Sequence, residues 1–254
     1  MFSLSEFIAL FIIAIVANGL SAIAGGGAGL LQLPILLFLG LPFSTALATH
    51  KIATVALGIG STARYWKEKI VDLYFSLFVI GFGLPGVIIG ALVILNIDER
   101  VATLALGILT ISLGVYSFFK KELGQDYQAK NRNRVGLLIG GLVIFCIGLI
   151  NGSLTSGTGL FLTLWLIHWF GLDYKRAVAT TMILVGFFWN ATGAITLSFL
   201  SEVKWSWLVP LILGSLIGGY LGAHFAIGKG NQLIKRVFEI LTISVGLSLL
   251  IKTY

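Results

Sequence analysis

Apolar residues run in long blocks along this chain, and the blocks break at charges, glycine clusters and prolines. They fall at roughly 4–24, 29–41, 44–64, 71–95, 101–119, 134–154, 158–171, 174–200, 205–228 and 233–251. Eight have the length of a helix that crosses a bilayer, which takes ~20 apolar residues. Two of them, 29–41 and 158–171, hold only 13 and 14 residues. That is too short for ~30 Å of hydrocarbon, and each follows a glycine-rich break. The pattern predicts an all-α, polytopic integral membrane protein.

The short blocks occupy the same place in the two halves, second of the first five and second of the last five. Their residues repeat. Gly27 and Gly29 fall on Gly157 and Gly159, Gly40 on Gly171 with one residue inserted, and Ala46, Ala48 and Thr49 on Ala177, Ala179 and Thr180. Further on, Gly90, Thr110, Ser112 and Gly114 match Gly222, Thr242, Ser244 and Gly246. A spacing held between 130 and 132 residues marks an internal duplication, with a first repeat over 1–125 and a second over 126–254. Five segments per half is an odd number, so the second copy is expected upside down relative to the first.

Composition removes whole classes of function. Hydrophobic residues make up 57% and charged residues 11%, where a soluble domain carries about 25% charged; mean hydropathy is +1.01. No stretch is left for a sizeable soluble domain, so a soluble enzyme, a nucleic-acid module and a disulfide scaffold are excluded. The one cysteine, Cys146, has no internal partner. The first residues carry Glu6 and no Lys or Arg, which reads as a retained first helix and not a secretory signal. The net charge of +7 reports topology first. Threading ten segments alternately puts thirteen of the 17 Lys and Arg on one side and three on the other, with Lys51 inside a segment. By the positive-inside rule the richer side is cytoplasmic and both termini lie outside. A full crossing out and back has the same parity as a hairpin that enters and returns, so loop charge leaves both open for each Gly-interrupted pair.

Two polar clusters stand in apolar surroundings. One holds Ser21, Gly25, Gly26, Gly27 and Gly29; the other holds Asn151, Ser153, Thr155, Ser156, Gly157, Thr158 and Gly159. Non-helical backbone at membrane depth is tolerated only where it is buried in protein or lines a cavity. The helix after each break starts with free N–H groups and a dipole that favour an anion. Paired short segments in the two halves are a pointer to a transporter's substrate site. The bland alternative is close helix packing by small residues, and many of the 32 glycines do only that. Lys51 is the second feature, since a cation inside a span is costly and marks function by default; the alternative is a snorkelling side chain. Glu239 is its only remote acidic partner. His50, Thr49, Thr180, Thr181 and Asn190 complete the candidate substrate-binding set. Tyr65, Trp66, Trp205 and Trp207 fall at segment ends, as an aromatic belt would. No metal-ligand spacing, no nucleophile–base pair and no cofactor motif is present, so no cofactor is expected.

The stretch NGLSAIAGGGAGLLQLPILLFLGLPFSTALATHK and its second copy resemble the TauE/SafE family, also called the sulfonate-uptake permease superfamily. The family's glycine cluster, proline, alanine and Thr-Asn-Lys triplet correspond to Gly25, Gly26, Gly27 and Gly29, then Pro34, Ala46 and Thr49-His50-Lys51. His50 stands where asparagine is usual. The resemblance covers essentially the whole chain. It implies a bacterial-type inner-membrane secondary transporter, an exporter of small sulfur-containing anions such as sulfite or organosulfonates, with seven to nine spans. The residues themselves suggest an anion carrier: inverted repeats, two broken helix pairs and one buried cation. Expected partners are a small anion, the lipid bilayer and a coupling ion, either proton or sodium, but no nucleic acid; a homodimer is left open. Rival readings are an intramembrane enzyme or lipid-handling protein using Lys51 and His50, and a passive anion channel.

The topology is testable directly. A reporter active only in the cytoplasm, fused after Tyr254, is expected to stay silent; strong activity would overturn the threading and the inverted repeat with it.

Overall fold

The computed structural model of the chain describes residues 4–93, 99–154 and 157–252. It is 84% helical, with no strand among the described residues. The first half contains α1 (Leu4–Ala24), α2 (Ala28–Phe38), α3 (Phe43–Tyr65), α4 (Leu73–Val93) and α5 (Glu99–Phe119). The second contains α6 (Arg134–Ser153), α7 (Thr158–His168), α8 (Tyr174–Leu200), α9 (Trp205–Lys229) and α10 (Asn231–Lys252). Each apolar block of the sequence is one helix. Among the described residues α1, α4, α6, α8 and α9 are long and apolar enough to cross a membrane, which makes this a multi-pass membrane protein. At 23 residues, α3 rises about 34 Å but is too polar for the same criterion. Its polar residues do not face lipid: Thr45, Thr49, His50, Lys51, Thr54 and Ser61 are all buried. It is the central helix, packed against α8, α9 and α2.

Small residues bring the helices close, and the contacts recur when the halves are exchanged. α1 lies along α9, with Gly222 against the Gly19 carbonyl and Gly218 against the Ile15 carbonyl. α6 lies along α4, with Gly90 against the Leu149 carbonyl and Gly86 against the Phe145 carbonyl. α5 packs on α10, where Gly107 and Gly246 each approach the other's carbonyl oxygen. Side chains at these positions would hold the axes apart, so glycine sets the interhelical distance as it does in membrane bundles generally.

The short helices α2 and α7 have eleven residues each. Each rises about 16 Å, half the hydrocarbon thickness. Their N-terminal ends meet: a Cβ on Gly26 would lie 2.6 Å from the Gly159 Cα. The Thr163 hydroxyl of α7 sits 2.9 Å from the Gly25 carbonyl and 3.0 Å from the Thr181 hydroxyl. A carbonyl only accepts, so Thr163 donates to Gly25 and takes its second bond from Thr181. Tyr65, expected in an interfacial belt, is instead buried, and its hydroxyl donates to the Ala22 carbonyl at 3.1 Å. That satisfies one of the carbonyls that the end of α1 leaves without a helical partner. Trp66 and Trp205 are exposed as the belt requires.

In α8 the stretch Met182–Trp189 is a π-helix. A π segment accommodates extra residues inside a helix. The spacing between the repeats grows from 131 at Thr49/Thr180 to 132 at Gly90/Gly222, and this segment lies between those two pairs. Elsewhere, Lys235 of α10 donates to the Ser117 and Lys120 carbonyls at the end of α5 and pairs with Glu239 at 2.8 Å. Glu239 is therefore engaged there, not with Lys51. Glu68, in the short turn after α3, accepts from Lys175 and Arg64, each at 2.9 Å. The hydrogen bonds, Lys175 first and then Arg64, hold its carboxyl below the ordinary range. The Lys175 bond ties the first half to the second.

Adding one methyl tests the close approaches. Gly90→Ala and Gly222→Ala are each expected to cost about 1–3 kcal/mol by overpacking against a carbonyl. Gly81→Ala, with nothing within 4 Å of the added carbon, is the control and should leave the melting temperature in detergent unchanged or higher.

Candidate functional site

Where the breaks meet, a small cavity opens between α1, α2, α3, α6, α7 and α8. Its volume is about 30 Å³, and Ser21, Gly26, Gly27, His50, Asn151, Thr158 and Asn190 contribute to its wall. Ala28, Thr54, Leu57, Met182, Val185 and Gly186 complete much of the rest. Gly27 and Gly157, at the start of α2 and α7, have φ of 97° and 76°. This left-handed region favours glycine because it lacks a Cβ, and it lets the chain reverse direction within the break. The residue at each helix start is a glycine, which has no side chain with which to cap it. The first N–H groups of an α-helix have no partner inside it, so both ends present partial positive charge. The Ser21 hydroxyl is buried and makes no hydrogen bond among the described residues, and the same holds for the Thr110 hydroxyl of α5, 3.5 Å from where a Cβ on Gly157 would sit.

Lys51 stands immediately behind this wall and is fully buried. Its ammonium donates to Asn151 Oδ1 at 2.7 Å and to Asn190 Oδ1 at 3.2 Å. Asn151 Nδ2 donates in turn to Thr158 Oγ1 at 2.7 Å, which turns the Asn151 oxygen toward the lysine. Asn190 comes immediately after the π segment. Gly193 makes room for the lysine stem, since a Cβ there would lie 3.3 Å from Lys51 Cδ and Cε. Among the described residues no carboxylate pairs with Lys51. The ammonium is solvated by neutral amide oxygens from the second half, and its charge is left uncompensated beside the cavity. Chemically the arrangement suits an anion: a fixed positive charge, two helix N-termini and hydroxyl groups converge on one space.

Sequence reasoning named nine residues of this wall: Ser21, Gly26, Gly27, Gly29, His50, Asn151, Thr158, Gly159 and Asn190. Others it named lie elsewhere. Thr49 bonds to the Thr45 carbonyl and accepts from the Lys204 N–H. Ser153 bonds back to the Leu149 carbonyl. Thr181 meets Thr163, Thr180 is buried away from the wall, and Gly25 packs on Thr163. Gly157 caps α7 without lining the cavity. Thr155 and Ser156 lie outside the described residues. Missed were Asn18, Gln32 and Ser215, which join His50 in a second polar cluster beside the first. Polar residues at apolar-face positions of α1 and α2 were its only signal.

The chain is similar to known membrane transporter proteins. A family model described as "Sulfite exporter TauE/SafE" matches residues 10–249. The chain is 27% identical over 234 residues to a "Probable membrane transporter protein" of Haemophilus influenzae, covering 92% of this chain and 90% of that one. It is 29% identical over 245 residues to "Probable membrane transporter protein YfcA" of Escherichia coli, covering 95% and 88%. "Probable membrane transporter protein YunE" of Bacillus subtilis is 26% identical over 272 residues, covering 96% and 97%. No solved structure matches the chain.

The solvation of Lys51 can be measured. Asn151→Ala removes one of its two acceptors and is expected to cost about 1.5–3 kcal/mol, the worth of a hydrogen bond to a charged group. In a Lys51→Met background the same change should cost much less. Equal costs in both backgrounds, from unfolding in mixed micelles, would mean that the contact contributes nothing.

Proposed function

This chain belongs to the sulfite exporter TauE/SafE family, and on that premise we propose that it exports small sulfur-containing anions such as sulfite or an organosulfonate. The names of the family and of the relatives support reading it as a membrane transporter rather than an enzyme. The observation that carries the anion reading is Lys51: buried and, among the described residues, paired with no carboxylate and bound to amide oxygens beside a cavity between two helix starts. An anion entering a low-dielectric site loses its hydration, and that loss is large unless fixed charge and N–H donors replace water. At an effective dielectric of ~20 a unit charge 4 Å away offers roughly 4 kcal/mol.

In this reading the anion sits near the midplane between Gly26–Gly29 and Thr158–Gly159. Asn151 and Asn190 hold the Lys51 ammonium in place while its field acts on the bound ion. The repeats 1–125 and 126–254 have opposite orientation, and α1–α2 and α6–α7 are helical hairpins whose short arms return from the membrane interior. Supporting this are the half-length of α2 and α7 and the contacts that recur on exchanging the halves. Both halves contribute to the wall of the cavity, so its sides can part toward either face of the membrane. Alternating opening to the two sides is then the transport cycle. The protein works in the inner membrane with both termini outside the cytoplasm.

Lys51→Met tests the reading, since it keeps the length of the stem and removes the charge. Insertion is expected to be unimpaired, while sulfite affinity and counterflow in proteoliposomes fall at least tenfold, the scale of ~1.4 kcal/mol. Lys51→Arg should retain partial function at best, because a planar guanidinium does not replace a compact ammonium. Gly27→Val and Gly157→Val should each abolish counterflow with less effect on expression, because valine resists the left-handed backbone. Normal counterflow in Lys51→Met would leave the anion to helix N-termini and hydroxyls alone.

A further inference from the structure

His50 precedes Lys51 on α3, is buried, and its side chain borders the central cavity. Its Nδ1 lies 3.2 Å from Gln32 Oε1, and the neighbours decide which partner carries the hydrogen. The Ala14 carbonyl oxygen can only accept, so the Asn18 side-chain atom 2.8 Å away is the amide nitrogen. That nitrogen is 3.2 Å from the Gln32 amide, which must present oxygen, since two amide nitrogens face to face would set donor against donor. The same oxygen then needs a donor from His50. In the neutral ring the hydrogen is therefore on Nδ1, and Nε2 keeps its lone pair. The bond to Gln32 is the one hydrogen bond the ring makes among the described residues.

The side chains around this ring carry no charge, with one exception. α1 brings Asn18 and Ser21, α2 brings Gln32, and α9 brings Ser215. α6, α7 and α8 bring Asn151, Thr158 and Asn190. The exception is Lys51, the one charged group acting on it among the described residues. Two positive charges on adjacent buried residues repel each other when no counter-charge is present. An anion in the cavity removes that repulsion, and by linkage a proton on the ring strengthens anion binding by the same factor.

We propose, resting on the anion-transport reading above, that His50 is the binding site of the coupling ion, a proton, carried on Nε2 together with the anion. The Nε2 lone pair takes one proton from water on one side and returns it to water on the other; no other bond changes. A divalent oxyanion then crosses with a net charge of minus one, which an interior-negative potential still expels. The bond to Gln32 keeps Nδ1 occupied, so the proton is exchanged at the nitrogen left free for it.

The experiment uses purified full-length protein in liposomes, with valinomycin and equal potassium on both sides to clamp the voltage at zero. Sulfite is the probe, and flux into protein-free liposomes is subtracted. Under a tenfold proton gradient, with both sides alkaline enough that sulfite is the dianion, the wild type is expected to accumulate it about tenfold on the more alkaline side at equilibrium. His50→Asn and His50→Gln are expected to reach an even distribution. The equilibrium ratio does not depend on turnover, so a slow variant still reports its coupling. A wild type whose sulfite distribution ignores the proton gradient overturns the proposal without any variant. So does tenfold accumulation by either variant. Loss of all exchange in both variants, while they elute as folded protein, also overturns it, because the histidine would then hold the anion and not the proton. No sulfite counterflow in the wild type is a different failure, and it sinks the anion-transport reading together with this one.

Discussion

An ammonium removed from water must find oxygen atoms in the protein, and the arrangement around Lys51 follows from that requirement. A cation in hydrocarbon is costly, and the lysine lies on the central helix with no carboxylate paired to it among the described residues. Its acceptors are Asn151 and Asn190, contributed by α6 and α8 of the other half. Reaching both at once demands that α6 end, that α8 turn its Asn190 inward, and that both halves lie close together. Had a carboxylate supplied the solvation, the site would be neutral. Amide oxygens solvate the charge without cancelling it, and the proposed anion site rests on that difference.

Close approach is the second constraint, and it is steric. The backbones of Gly26 and Gly159 touch, so the two helix starts face one space instead of two. A side chain at either position would separate the breaks and leave polar backbone buried without a partner, at several kcal/mol per group. The glycine contacts between α1 and α9 and between α4 and α6 set the spacing of the surrounding helices at the same time. The π segment of α8 adds an asymmetry to this symmetric plan: it lies directly before Asn190. At the position that matches Lys51 by the repeat spacing the second half has Met182. One cation therefore serves two related breaks.

Much of this architecture was legible in the chain. The ten blocks, the two short ones after glycine breaks and the lone lysine inside a span can be read without coordinates. Bilayer thickness fixes helix length, and the cost of burying charge makes an intramembrane lysine conspicuous. Nine of the wall residues could be named for the same reason, since polar residues clustered at a break have little other use in hydrocarbon. Thr49, Ser153, Thr180 and Thr181 could not be sorted from them. A hydroxyl in a helix can satisfy itself on the turn before it, as Thr49 and Ser153 do, and composition is the same in either case.

The sequence by itself determined the membrane setting, the number of helices, the place of the two breaks and the presence of a lysine inside a span. These depend on local properties: the length of an apolar run, the conformational freedom of glycine, and the sign of a side chain. Tertiary structure alone decided that the breaks meet, that Lys51 is held by Asn151 and Asn190 and not by Glu239, and that Gln32 fixes the hydrogen on His50. Each of these joins residues far apart in the chain, 100 and 139 positions for the two lysine contacts. Pairings of that kind depend on how glycine-lined faces fit together and on directional hydrogen bonds, neither of which leaves a periodic trace along the sequence.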